Sequence, residues 1–280
     1  MKKKIMVLYH AGCPDGFGAA WAFWRKYRNE ALYIPVSYGK EPPDVTGMEV
    51  YMVDFCYEKE AMLTLKEKAK SLIVLDHHKT GLEHCGDLDF CHFDMNHSGA
   101  YIAWAYLFGD KDVPNIVKFV EDRDLWAWKI TDSEPMLLAI DSYERTFENW
   151  DRLNSYLWQT GTKQWNKILH MGEGILQYNN NLQDLIMKNS YRIDIMGYNV
   201  PAVNTPFFQS EIVNKLSVGQ PFAAGYYWDG DVYRFSLRSK DAGGEDVSKI
   251  AEKFIGGGGH KRAAGFSIKN LSELKGEAQT

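Results

Sequence analysis

The apolar residues Leu72, Ile73, Val74 and Leu75 run straight into Asp76, His77 and His78. A hydrophobic run this short reads as a buried strand, and three consecutive metal-type ligands at its carboxyl end have no use in a core. Comparable runs lie at Ile5 to Tyr9, Leu32 to Val36, Val50 to Val53 and Phe90 to Phe93. Helix-like stretches begin near Gly16, Glu58, Ser98 and Pro114. Alternation of this kind predicts crossover units on a parallel sheet, so the first half of the chain reads as α/β.

Four of the five runs are followed at once by a ligand type: His10, Asp54, Asp76 and Asp94. In open parallel sheets the ligand crevice lies outside the carboxyl ends of the strands, so these groups are expected to converge. Singly, each has a plain structural use: Asp15 and Asp54 as helix caps, His10 as a satisfied turn residue. Jointly they point to one site. Hydrolysis of a phosphoester near neutral pH asks for a strong nucleophile and for charge neutralisation, which two divalent ions about 3.5 to 4 Å apart provide. Asp54, ending a buried strand in the middle of the sheet, is the natural bridge between them. Glu121, Asp122, Arg123 and Asp124 add carboxylates just before Trp126.

With 280 residues the chain is expected to form two domains, and its net charge of -5 argues against tracking long duplex nucleic acid by phosphate neutralisation. The cysteines at 13, 56, 85 and 91 form no regular disulfide framework, and only five apolar residues separate Lys4 from His10. The reading is a soluble cytoplasmic protein with no membrane association.

Residues 124–166 carry Trp126, Trp128, Trp150, Trp158 and Trp165, most of which are expected to pack a core rather than stack on bases. A long helix follows to about Asn189. Beyond Ser190, strands are expected at Tyr191 to Met196, Phe222 to Tyr227 and Tyr233 to Leu237, with helices near Gln209 to Leu216 and Asp246 to Phe254. Four glycines, Gly256 to Gly259, then precede His260. Their backbone amides can approach a phosphate closely, and Arg238 and Arg262 can grip its oxygens. The expected organisation is a catalytic domain over 1–165, a helical linker over 166–190 and a smaller α/β substrate-binding domain over 191–280.

The chain resembles the DHH phosphoesterase superfamily over nearly its whole length. The catalytic-domain motifs are His10-Ala-Gly-Cys-Pro-Asp15-Gly16, Val53-Asp54, Asp76-His77-His78-Lys79 and Glu121-Asp122. The associated C-terminal domain is matched by Phe235-Ser-Leu-Arg238-Ser239 and by Gly256-Gly-Gly-Gly-His260-Lys-Arg262-Ala-Ala-Gly265. The resemblance implies two divalent cations, usually manganese, with magnesium, zinc or iron as alternatives. Asp54 would bridge them, with His10 and Asp76 near one ion and Asp15, His77 and Asp122 near the other. Which ion Asp76 and His77 each serve is left open. His78 would face the attacking water or the substrate phosphate, making His78, Asp54 and Asp76 the expected catalytic set. Arg238, Gly257, Gly258, Gly259, His260 and Arg262 would bind the substrate phosphate.

Cys13 stands where related proteins commonly place a second carboxylate, leaving open whether it ligates a softer metal or is a small buried residue. A zinc cluster of His84, Cys85, Cys91 and His92 is rejected on spacing. The leading function is exonuclease-type hydrolysis of short oligonucleotides or linear dinucleotides, with other small phosphate esters as further candidate substrates; the chain could act as a homodimer. The rivals are a polyphosphate or pyrophosphate hydrolase and a weakly active nucleotide-binding regulator. Aromatic residues facing the crevice would favour nucleotides; an all-basic crevice would favour polyphosphate.

Overall fold

The computed structural model describes residues 3–240, 243–254 and 256–275. The chain divides into two units, Met1–Leu176 and Gln177–Thr280. The end of the expected C-terminal domain, 276–280, lies outside the described residues.

The first unit is built on a parallel sheet of β1 (Ile5–His10), β2 (Ala31–Val36), β3 (Glu49–Val53), β4 (Ser71–Asp76) and β5 (Cys91–Phe93), in the order β2-β1-β3-β4-β5. Strand side chains alternate between the two faces. Val7, Val53 and Leu75 join the core beneath α1 (Pro14–Tyr27), α4 (Gly99–Phe108) and α5 (Asn115–Asp124), while Met6, Leu8, Met52, Leu72 and Val74 join the core on the opposite face. That second core holds α2 (Lys59–Lys68) and α3 (Lys79–Cys85) through Met62, Leu65 and Cys85. The chain leaves β1 toward β2 on one side and continues with β3 on the other, so the order of strands reverses between β1 and β3. Ligand crevices form at such switch points.

Local chemistry sets the helix starts. Pro14 sits in the first turn of α1, where its missing N–H costs nothing, and Ser98 caps α4 by accepting from Tyr101 N at 3.3 Å. The unit is completed by α6 (Ser133–Asp141), α7 (Phe147–Leu157) and α8 (Lys163–Met187), within which the division between the two units falls.

The tryptophans divide differently from the sequence expectation. Trp150 and Trp165 are buried, but Trp126 and Trp158 are each 58% exposed and Trp128 is 37% exposed. Most of this group therefore does not pack a core. Trp126 and Trp128 lie in the loop between α5 and α6, where helical periodicity gives no face to bury.

The second unit carries a six-stranded sheet in the order β10-β11-β9-β8-β7-β6: β6 (Tyr191–Ile195), β7 (Tyr198–Asn204), β8 (Ala223–Trp228), β9 (Tyr233–Arg238), β10 (Gly258–His260) and β11 (Ala263–Ile268). All its pairings are antiparallel except β7 with β8. Helices α9 (Gln209–Leu216) and α10 (Val247–Ala251) complete it, and its main core gathers Phe222, Phe235, Leu237, Ile250 and Phe266. No helix among the described residues is long and apolar enough to cross a membrane.

Candidate metal centre

The carboxyl ends of β1, β3 and β4 deliver His10, Asp54 and Asp76, and the first turn of α1 adds Asp15. Asp15, Asp54 and Asp76 are all essentially buried. A buried carboxylate demands partners, because desolvation otherwise favours its neutral form. Asp15 finds them at the start of α4, accepting from Gly99 N at 2.6 Å and Ala100 N at 2.9 Å. Asp76 Oδ1 accepts from His77 N at 2.8 Å, and from the His78 ring, whose Nδ1 donates at 2.7 Å. That bond fixes the orientation of His78.

Asp54 is different. Neither of its buried carboxylate oxygens accepts a hydrogen bond, and Asp76 Oδ2 and His10 Nδ1 are also buried without one. Asp54 is instead surrounded by imidazoles: His77 Nε2 lies 3.2 Å from Oδ1 and His10 Nδ1 lies 3.6 Å from Oδ2. Two triplets result, His10–Asp54–His78 and Asp15–Asp54–His77, in each of which one ligand atom per residue lies within 4.8 Å of the others. Asp54 belongs to both. Two adjoining sets of imidazole and carboxylate donors sharing one carboxylate, with unpaired buried oxygens, fit a pair of divalent cations.

The charges respond to this crowding. Burial raises the Asp54 carboxyl, but His10, His77 and His78 outweigh it and hold its pKa down at about 2. Burial opposes the His77 imidazolium, yet Asp54, Asp15 and Asp124 together push its pKa up to about 9. Asp15 is driven well above the usual carboxylate range, first by burial and then by Asp54 and Asp124. An excess of carboxylates around histidines is a cation-binding field.

The carboxylate that α5 sends to this cluster is Asp124, its last residue, 3.5 Å from His77 Nε2. Sequence reading placed Asp122 there. The Asp122 carboxylate instead accepts from Lys129 N at 2.7 Å, Ile130 N at 3.2 Å and Ser133 Oγ at 2.6 Å. It is the anchor of the following loop. A two-residue step along a helix turns a side chain by roughly 200°, so only one of the two can face the site.

His78 joins one of the triplets, in addition to any contact with substrate. Cys13 joins neither; burial, with the nearby Asp54, pushes its thiol up to about 12. His84, Cys85, Cys91 and His92 form no metal-type group among the described residues. The Cys56 and Cys85 thiols both donate to Tyr57 O, at 3.3 and 3.6 Å, as core groups do.

In the second unit, the polyglycine run enters β10, an edge strand, rather than forming a bare loop. Gly257 and Gly259 are required by packing: a Cβ would meet Ala251 O at 2.0 Å and Ala263 O at 2.6 Å. Gly258 faces open space and His260 is exposed. Arg238 reaches Ser210 Oγ at 2.8 Å, and Arg262 donates to Gly244 O at 2.8 Å.

No family model matches the chain. An uncharacterized protein of Acanthamoeba polyphaga mimivirus, R106, is 30% identical over 295 residues, covering 95% of this chain and 68% of its own length. The chain belongs to one family with it. Among solved structures, the pGpG-specific phosphodiesterase PggH of Vibrio cholerae superposes with a TM-score of 0.57 at 14% identity, covering 96% of this chain and 95% of its own. RecJ of Thermus thermophilus in complex with Mn2+ gives 0.54 at 13% identity, over 96% of this chain and 50% of RecJ. An exonuclease RecJ bound to manganese gives 0.52 at 14% identity, over 96% and 86%. The chain has the DHH fold. Asp76 ends β4, and this fold brings His77 and His78, which follow it, against Asp54, just past the end of the adjacent strand β3.

Proposed function

We propose that this DHH protein is a divalent-metal-dependent phosphodiesterase acting on short oligonucleotides or linear dinucleotides, one nucleotide at a time from an end. The observation that carries the reading is the pair of triplets sharing Asp54. His10, Asp54 and His78 would hold one cation and Asp15, Asp54 and His77 the other, with Asp124 beside His77. When bound, such a pair generates a hydroxide nucleophile near neutral pH and neutralises charge on the phosphoryl oxygens. Manganese is the proposed metal, as in the RecJ structures.

The chain's own residues prepare the centre. Asp54, with its low pKa, stays ionised across the neutral range. His77 carries a proton that a cation must displace, so loading the site releases acid. Asp76 holds the His78 ring in place through Nδ1. Within the second unit, Arg238, His260 and Arg262 are the residues proposed to bind phosphate.

Nucleotides are favoured over polyphosphate by Tyr38. Tyr38 is 54% exposed, and its ring packs edge-on against His10, with centroids 5.6 Å apart. An aromatic ring at a metal ligand suits a base-bearing substrate; a phosphoanhydride chain would call for cations there. The test is a manganese-supplemented panel of labelled short RNA and DNA, a linear dinucleotide, a 3',5'-bisphosphonucleoside, pyrophosphate and polyphosphate. Fastest consumption of the dinucleotide or the short oligomers is expected; preference for polyphosphate or pyrophosphate overturns the reading.

A further inference from the structure

The loop that follows Asp124 has an unusual economy. Of its six residues from Leu125 to Ile130, four are exposed large apolar side chains: Leu125, Trp126, Trp128 and Ile130. Leaving indoles in water forgoes burial that the hydrophobic effect would reward. The backbone is also constrained, since Trp126 and Trp128 have φ of 52° and 48°. Bulky residues rarely adopt the left-handed region, and such conformations persist only where the surroundings impose them.

The surroundings here are explicit. Buried Asp122 uses both carboxylate oxygens on Lys129 N, Ile130 N and Ser133 Oγ. Its carbonyl accepts from Ala127 N at 2.9 Å and Trp128 N at 3.2 Å, and Arg123 O accepts from Trp126 N at 2.9 Å. The result is a tightly bonded loop that presents two indoles edge-to-face, 5.3 Å between centroids and 77° between planes. The edge of one ring meets the face of the other, and Trp126 is the more exposed of the two, at 58% against 37% for Trp128. This pair begins two residues after Asp124, which itself lies 3.5 Å from His77, so the indole backbone is within about 7 Å of a residue of the metal centre.

We infer that Trp126, supported by Trp128, is the stacking platform for a base of the nucleotide substrate, setting specificity for base-bearing phosphodiesters. The inference rests on the phosphodiesterase reading above and adds the group that reads the substrate. Stacking on an indole face is tolerant of base identity, so the platform selects nucleotides as a class and not a sequence. Asp122 acts as a positioning residue for the loop.

The test compares the parent, Trp126→Ala, Trp126→Phe and Trp128→Ala on a linear dinucleotide and on the same compound lacking its bases, with tryptophan emission titrated separately against a nucleoside monophosphate. Trp126→Ala is expected to raise KM for the dinucleotide about tenfold, the factor that loss of one stacked base gives, while kcat stays within about twofold. The base-free compound shows that high KM already in the parent and is not worsened by the substitution. Trp126→Phe restores most of the affinity, and quenching by the monophosphate is lost in Trp126→Ala. An unchanged KM, or an equal rise for both compounds, overturns the platform while leaving the phosphodiesterase reading standing. So does a change in oligomeric mass on Trp126→Ala without a change in KM, because the rings then cover a second copy of the chain. If the parent hydrolyses neither compound, the phosphodiesterase reading falls. Quenching that Trp126→Ala abolishes would then still support the platform, and its absence would overturn both.

Discussion

Gly99 stands against Asp54 so closely that a Cβ on the glycine would lie 2.5 Å from the aspartate's Cβ. The same amide that opens α4 donates to Asp15 at 2.6 Å. One backbone position therefore seats both carboxylates of the Asp15–Asp54–His77 triplet. Glycines play the same part elsewhere in the centre, for a Cβ at Gly81 would lie 2.9 Å from Asp76 Oδ2.

Gly99→Ala is expected to push Asp54 out of register. Overpacking of this kind costs about 1–3 kcal/mol, and the larger effect is on the site. Manganese affinity and hydrolysis should fall at least about tenfold, while far-UV circular dichroism stays native. Unaltered affinity would show that Asp54 has room to move without consequence.

Asp124 and Asp122 are expected to separate cleanly on substitution. Asp124→Asn removes a charge beside His77 and should weaken cation binding with little change in the melting temperature of the metal-free protein. Asp122→Ala strips three donors of their acceptor, including the Ser133 hydroxyl. It should destabilise the fold by about 2–4 kcal/mol. Calorimetric titration and thermal melts on both variants check the assignment; the reverse pattern would restore Asp122 to the site.

The metal-free protein should lose stability as pH rises from about 6.5 to about 9. Folded His77 keeps its proton to about 9, whereas the unfolded chain releases it near its ordinary value of 6.5. The folded state thus binds more protons across this interval and is disfavoured as they are withdrawn. The raised carboxyl of Asp15 acts in the same direction once pH exceeds 3.8. Asp54 works oppositely: its contribution is present above 3.8 and is lost as pH falls toward about 2. Saturating manganese should abolish the alkaline loss, because the cation takes over the role of the proton. Melting curves at several pH values, with and without the metal, measure this directly.

Much of the fold could be read from short apolar runs, because a parallel strand buried on both faces has little freedom in composition. Every strand of the first sheet was marked in that way, and Asp54 stood out as the residue ending the middle one. Other elements left weaker traces. Helix α3 is seven residues long and contains Gly81, whose place is dictated by Asp76 and not by helical preference. Strand β7 contains Pro201, which breaks a strand pattern; it is tolerated because β7 pairs with β8 only over Ala202 to Asn204. The choice between Asp122 and Asp124 depends on which way the end of α5 faces, a tertiary fact. The exposed Trp126 and Trp128 are held out by bonds to a buried carboxylate seven to eleven residues from its partners in the chain, beyond any local pattern.

The shared carboxylate is the centre of the account, and Asp54→Asn tests it most directly. Asp54 has φ of 55°, a backbone conformation that asparagine accepts readily, so the substitution removes charge without straining the fold. Manganese bound per chain should be counted by calorimetric titration for the parent and for Asp54→Asn. Two ions are expected for the parent, with both lost together on the single substitution. A parent that binds none, or a variant that keeps both, would contradict that expectation.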